Sequence, residues 1–183
     1  MDDLIFQEKG HKYFYKGKEV PSVSAVIKAV GLGRNYESVD PFYRDRGIAV
    51  HKAIQLYLKG TLDEDSLDPV IVPYFKQAKE WIEKYKHGCA SFVPESMHYN
   101  EKLNVAGTVD LILGNNVFDW KCTKSVDPIT EIQGAFYKAL TGFSFFSAIQ
   151  LDGSDGPAIE IPYEASPKLV DAVMILYKEW KRK

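Results

Sequence analysis

Gly107-Thr108-Val109-Asp110-Leu111-Ile112-Leu113-Gly114-Asn115-Asn116-Val117-Phe118-Asp119-Trp120-Lys121 is the stretch that decides how this chain is read. Two extended runs rich in Val, Leu, Ile and Phe flank a Gly-Asn-Asn turn signal, which predicts a β-hairpin. With Gly114-Asn115 as a two-residue turn, Leu113 pairs with Asn116, Ile112 with Val117, Leu111 with Phe118, and Asp110 with Asp119. With the turn at Asn115-Asn116, Asp110 pairs with Lys121 and Ile112 with Asp119. The two carboxylates then remain diagonal neighbours on one face. A three-residue loop would flip the side-chain parity. Like charges opposite each other destabilise a sheet, so a hairpin of this kind calls for a cation. Lys121 is one, on the face of Asp119 because the side-chain period is two. A divalent metal is the other, since hard cations favour carboxylate oxygens and keep waters for chemistry. Metal and ammonium together orient a water, lower its pKa and stabilise charge on a phosphate. An ordinary surface hairpin would use the same Asp and Lys residues as salt bridges; the apolar setting favours the metal reading.

Outward from this hairpin, the periodicity predicts an α/β fold with a central mixed sheet flanked by helices. Leu4 to Phe6 and Tyr13 to Tyr15 read as an N-terminal β-hairpin, with a second turn at Lys16-Gly17-Lys18. Ser22 or Ser24 caps a short helix over Ala25 to Val30, stopped by Gly31. Gly31 to Asp40 is a loop. A long helix follows over Pro41–Leu58, then an acidic loop to Asp68. A second helix spans Pro69–Lys86, with Ile71, Tyr74, Phe75, Ala78, Trp81, Ile82 and Tyr85 on one face, and Gly88 ends it. Strands are expected over Ser91–Tyr99, Leu103–Leu113 and Val117–Cys122. A helix over Glu131–Leu140 comes next, then strands Phe143–Leu151 and Ala158–Tyr163. The last helix, Pro167–Lys183, presents Leu169, Val170, Val173, Leu176 and Tyr177. All 183 residues read as one domain, with a hairpin and short helix in 1–40 and the core in 41–183.

Composition narrows the class. Hydrophobic residues are 45% and charged residues 26%, which suits a globular core and excludes a disordered chain. No apolar run approaches the length of a membrane helix. The start lacks the regions of a secretory signal, so a reducing compartment is expected. Two cysteines, Cys89 and Cys122, are too few for a disulfide framework or a four-cysteine cluster. Net charge of −2 leaves nucleic-acid binding to a local basic stripe.

Three further groups carry chemistry. His51 follows Arg46-Gly47-Ile48-Ala49-Val50 in the first long helix and reads as either a core histidine or a third metal ligand. Gln133 and Tyr137 share a helix face as hydrogen-bonding groups. Arg34, Arg44 and Arg46 interleave with Tyr36, Phe42 and Tyr43, a pattern that suits base stacking and phosphate contact.

Taken together, Gly47-x-x-x-His51, Gly107-Thr108-Val109-Asp110, Asp119-Trp120-Lys121 and Gln133-x-x-x-Tyr137 resemble the PD-(D/E)xK nuclease superfamily. The RecB-like and phage exonuclease branch is the most similar. The opening His11-Lys12-Tyr13 through Val20-Pro21-Ser22-Val23-Ser24 is similar to its phage and prophage members. That branch includes the mitochondrial genome-maintenance exonuclease and the CRISPR-associated iron–sulfur nucleases, whose four cluster cysteines this chain lacks. The resemblance implies a restriction-endonuclease-like core and a DNA exonuclease of phage or prophage recombination or replication. It implies Mg2+ or Mn2+ held by His51, Asp110, Asp119 and the backbone carbonyl of Trp120. Lys121 would act with Asp110 and Asp119 in catalysis, positioning the attacking water. Gln133, Tyr137, Arg44 and Arg46 would support the site or contact DNA. Glu95 or Glu101 would supply an additional acid. A homo-oligomer or a phage recombination partner, and the cytoplasm of a bacterial host, belong to the same expectation; a membrane does not. A structure-specific endonuclease with the same site, or a non-catalytic DNA-binding or assembly module, are the alternatives.

Overall fold

A computed structural model describes residues 3–33, 40–86 and 91–182. Strands β1 (Leu4–Gln7), β2 (Lys12–Tyr15) and β3 (Lys18–Val20) form an antiparallel sheet, so the expected hairpin gains a third strand. Helix α1 (Val23–Ala29) follows, with Ser22 accepting from Ala25 N–H as its cap. Helices α2 (Pro41–Leu58) and α3 (Val72–Lys86) come next, joined by a segment with one 3-10 turn at Glu64–Ser66. Then come β4 (Phe92–Asn100), β5 (Val105–Leu113), β6 (Asn116–Cys122), α4 (Ile129–Thr141), β7 (Phe145–Leu151), β8 (Ile159–Tyr163) and α5 (Pro167–Lys181). Strands β4 to β8 lie side by side in chain order. Only β6 and β7 run parallel, because α4 carries the chain back between them.

Each face of this mixed sheet is covered. On one side α1, α4 and α5 bring Val26, Phe136, Leu140, Val170 and Val173 onto Val105, Val109, Val117 and Phe146. On the other, α2 and α3 bring Val50, Ile54, Phe75, Trp81 and Ile82 onto Leu111, Phe118, Trp120 and Ile149. In α5, Met174 enters the core instead of Leu176, which is 47% exposed. The inward face runs Val170, Val173, Met174, an i, i+3, i+4 stripe that leaves Leu176 on the flank.

The hairpin adopts the register set by a Gly114-Asn115 turn, with Leu113 opposite Asn116, Ile112 opposite Val117 and Leu111 opposite Phe118. There the pairing stops, and Asp110 does not form a ladder pair with Asp119. Strand β5 stays paired with β4, and β6 with β7, so the two central strands part beyond Leu111. Side-chain alternation in β5 breaks at the same place. Val105 and Val109 face one core while Leu111 and Leu113 face the other, although all four have the same parity. The chain after β3 takes over the edge that β5 loses, with Ala106 N–H donating to Pro21 C=O at 2.9 Å. Tyr13 and Thr108 hydroxyls bond at 2.8 Å and tie the N-terminal sheet to β5 two residues from Asp110.

Gly134 brings α4 against the sheet. A Cβ there would lie 2.1 Å from a ring carbon of Phe146, which is buried. Alanine would otherwise favour the helix by about 1 kcal/mol. Overpacking a buried ring outweighs that gain. Gly134→Ala should therefore destabilise the protein by about 1–3 kcal/mol, read as a lower urea midpoint at unchanged m-value. An equal or higher midpoint would contradict the close approach.

Candidate active site

The parting of β5 and β6 opens a wedge that polar side chains fill. Trp120 lies between Asp119 and Lys121, and its indole is buried on the far face against Trp81 at 5.4 Å between ring centroids. That anchor leaves the Trp120 peptide facing the wedge. Its N–H donates to Asp110 Oδ2 at 2.9 Å, in place of the missing ladder bond. Its carbonyl accepts from His51 Nε2 at 2.9 Å. The second His51 nitrogen, Nδ1, is 3.4 Å from Asp110 Oδ2. One peptide thus fixes both the carboxylate of Asp110 and the imidazole of His51.

Glu95 completes the group. Pro94 pairs with Leu111 and Ser96 with Val109, so Glu95 stands opposite Asp110. Its φ of +52° departs from strand geometry, and the ladder is interrupted at that residue alone. One donor atom from each of His51, Glu95 and Asp110 lies within 4.8 Å of the others. Glu101, the other candidate acid, is exposed at the β4–β5 tip, where it accepts from Tyr15 OH at 2.7 Å.

A second network sits beside the first. The ammonium of Lys121 pairs with Asp119 Oδ2 and donates to Gln133 Oε1 at 2.9 Å. Gln133 Nε2 donates to Tyr137 OH at 2.8 Å and reaches Asp119 Oδ1 at 3.4 Å. The close approach at Gly134 places Gln133, its neighbour, over this pair. Asp119 is 3% exposed at its side chain, against 23% for Lys121, so the carboxylate is dry and the ammonium reaches solvent. Asp119 Oδ2 is taken up by the Lys121 ammonium.

Electrostatics follow from this crowding. Burial, with the Asp110 charge beside it, pushes the Glu95 carboxyl up to about 7. Burial, against the pull of the Lys121 ammonium, pushes Asp119 up to about 6. Burial also opposes ionisation of Asp110, but the His51 charge and hydrogen bond outweigh it and hold Asp110 low. For His51, burial disfavours the cation, yet Asp110 outweighs that and holds the imidazole well above its usual range.

The residues present fit a divalent cation. Two carboxylates and an imidazole, those of Glu95, Asp110 and His51, converge on one point. Carboxylate-rich donor sets suit hard cations, and the Nε2–H bond to Trp120 fixes the tautomer in which Nδ1 is the ligand.

The basic residues of α2 take different positions. Arg44 is exposed and pairs with Asp45 at 2.9 Å. Phe42 and Tyr43 are exposed neighbours with ring centroids 5.6 Å apart. Arg46 turns inward and donates to Cys122 C=O at 3.1 Å. Arg34, Tyr36, Gly88, Cys89 and Lys183 lie outside the described residues.

No protein-family model matches the sequence. No curated protein matches it. Among solved structures, the exonuclease LHK-Exo in complex with dAMP is similar over 89% of this chain and 86% of that one. The TM-score is 0.52 at 12% sequence identity, a likeness of fold. The chain therefore has a mixed α/β fold shared with a nuclease. No helix among the described residues is long and apolar enough to cross a membrane.

The pKa shifts carry a pH signature. Glu95 titrates near 7 when folded against an ordinary 4.5, so the folded state holds more protons between these values. Stability from this group falls as pH rises through that window. His51, raised above its usual 6.5, likewise contributes stability that is lost as pH rises through its folded value. The metal-free protein should melt at a lower temperature at pH 8 than at pH 6. Glu95→Gln should raise the metal-free melting temperature at pH 8 and weaken Mn2+ binding. In the wild type, Mn2+ binding by calorimetry should tighten from pH 6 to pH 8, because ligands shed protons on binding. A flat pH dependence of both quantities would rule out this arrangement of charges.

Proposed function

We propose that this chain is a metal-dependent deoxyribonuclease of the PD-(D/E)xK superfamily, an exonuclease hydrolysing phosphodiester bonds in phage or prophage recombination or replication. The observation that carries the reading is the Trp120 peptide, which joins the His51–Glu95–Asp110 donors to the Asp119–Lys121 pair. The fold shared with LHK-Exo supports it, and dAMP, bound to that protein, is the kind of product an exonuclease releases from DNA.

In this reading His51, Glu95 and Asp110 would hold Mg2+ or Mn2+ with Asp119 beside them, while the Trp120 carbonyl, which accepts from His51 Nε2–H, would orient the imidazole instead of binding the ion. Such an ion, when bound, would supply Lewis-acid stabilisation of phosphate charge and lower the pKa of a water. Lys121 holds the attacking water and offsets charge that develops on the phosphate. Asp119 aims that ammonium, and Gln133 fixes it from the other side. Tyr137 saturates Gln133, whose orientation then leaves its carbonyl oxygen for Lys121. Arg44, with the exposed rings of Phe42 and Tyr43, contacts the DNA strand leading into the site.

Linear and covalently closed circular DNA test this directly, each with Mg2+, Mn2+ or chelator. Metal-dependent loss of linear DNA alone is the expected result. Asp119→Ala should be inactive, and Lys121→Ala should lose at least about 100-fold in rate while still binding Mn2+. Cleavage of the circle would mark an endonuclease. A folded protein that cleaves neither, yet binds DNA, would be a binding module.

A further inference from the structure

The turn that follows Lys121 is held by side chains from two other elements. Three successive carbonyls, those of Cys122, Thr123 and Lys124, each accept a side-chain hydrogen bond. Arg46 Nη2 on α2 donates to Cys122 C=O at 3.1 Å. Gln150 Nε2 on β7 donates to Thr123 C=O at 3.2 Å and to Lys124 C=O at 2.8 Å. Gln150 stands opposite Lys121 in the parallel ladder, so its amide reaches the chain where β6 ends. Thr123 N–H closes back on Lys121 C=O at 2.9 Å. Thr123 Oγ1 bonds Ser125 from both sides, donating to its carbonyl and accepting from its N–H.

Arg46 is itself held. Its Cζ lies 4.4 Å from the ring centre of Tyr74 and 5.2 Å from that of Tyr43. Its Nε is buried and has no hydrogen-bond partner, so that donor is closed to a phosphate arriving from solvent. Tyr74 is backed by the β7–β8 loop, where a Cβ on Gly153 would lie 2.5 Å from the Tyr74 ring at a backbone φ of +73°. Gln77, buried on α3, holds that loop. It donates to Asp152 Oδ1 at 2.8 Å and Gly156 C=O at 2.9 Å, and accepts from Gly153 N–H at 3.0 Å. A continuous set of contacts runs from Gln77 through the loop, Tyr74 and Arg46 to the residue after Lys121.

We propose that Arg46 and Gln150 are positioning residues, which clamp the turn after Lys121 and so aim its ammonium, and that Arg46 does not contact DNA phosphate. The kinetic part rests on the nuclease reading above. The clamp itself does not, because it fixes the backbone whatever the chain acts on. A guanidinium that stacks on two rings and donates to a carbonyl is held in one orientation by the protein. Displacing a reacting group by about 1 Å costs on the order of 100-fold in rate, so loss of the clamp should act on turnover rather than on affinity.

Arg46→Met, Arg46→Lys and Gln150→Met test the clamp by steady-state kinetics on linear DNA and by hydrogen exchange. In all three, kcat should fall by about 10- to 100-fold while KM changes less than about twofold. The slope of log affinity for DNA against log salt should stay that of the wild type. Amides over residues 121–125 should exchange faster, with protection of β5 and β7 kept. Arg46→Lys should not rescue, since an ammonium keeps the charge but loses the planar stack and fork. A raised KM with a salt slope reduced by about one would make Arg46 a phosphate contact and overturn the proposal. Unchanged exchange over 121–125 would overturn it whatever the activity. If Arg46→Met fails to fold, Gln150→Met decides, since it releases the same turn from the opposite side. A wild type without nuclease activity, with faster exchange in the variants, would sink the nuclease reading and leave the clamp in place.

Discussion

The wedge between β5 and β6 is the constraint on which the rest of the site depends. A sheet that kept pairing past Leu111 would place Asp110 beside Asp119 with no room for a ligand between them. Parting leaves backbone groups to satisfy in a buried place, and unpaired polar groups there are costly. The Trp120 N–H goes to the Asp110 carboxylate and the Ala106 N–H goes to Pro21, so the opening is stabilised from both strands. The Trp120 indole, locked among aromatic rings on the other face, keeps its peptide from turning away. Structure and chemistry meet at that one residue, whose side chain belongs to the core and whose backbone belongs to the site.

Three carboxylates in so small a space repel one another, and the protein meets this in two ways. Lys121 answers Asp119, and a protonated His51 answers Asp110. Glu95 keeps its proton chiefly because it is buried, with the Asp110 charge beside it adding to the effect and His51 only partly opposing it. A cation bound among these groups would relieve their repulsion. Stability surrendered at a site of this kind is recovered by the ligand that binds it. The two apolar layers supply the margin, since the sheet is covered on both faces close to the site.

Much of the site was legible in the sequence, and the parts that were not share one cause. Gly114-Asn115 was one of two turns that the sequence allowed and the structure takes it, while the period of two put Asp119 and Lys121 on one face. The i, i+4 spacing of Gln133 and Tyr137 put them on one helix face, and only the packing of α4 set them over that pair. The choice between Glu95 and Glu101 depended on the β4–β5 turn. Leu103 read as the start of a strand, whereas residues 101–104 form the tip between Asn100 and Val105, with Asn104 N–H bonding Asn100 C=O. Once that tip is seen, counting back along the strands sets Glu95 opposite Asp110. Gly134 and Gln150 gave no local signal at all. One is defined by an aromatic ring on another element, the other by carbonyls that follow a different strand.

By itself, the sequence determined the order of helices and strands, the presence of the hairpin and the shared face of Asp119 and Lys121. Those are short-range properties, set by side-chain period, turn chemistry and helix caps. The tertiary structure decided where the hairpin stops pairing, which glutamate joins the cluster and which way Arg46 points. Each of these depends on how separate elements compete for one backbone edge or one buried space. Arg44 and Arg46 show the difference most plainly. They lie two residues apart on one helix, yet one faces solvent and the other stacks on a ring from the next helix. A step of two along a helix turns a side chain by roughly 200°, and only the packing of α2 shows which side is open.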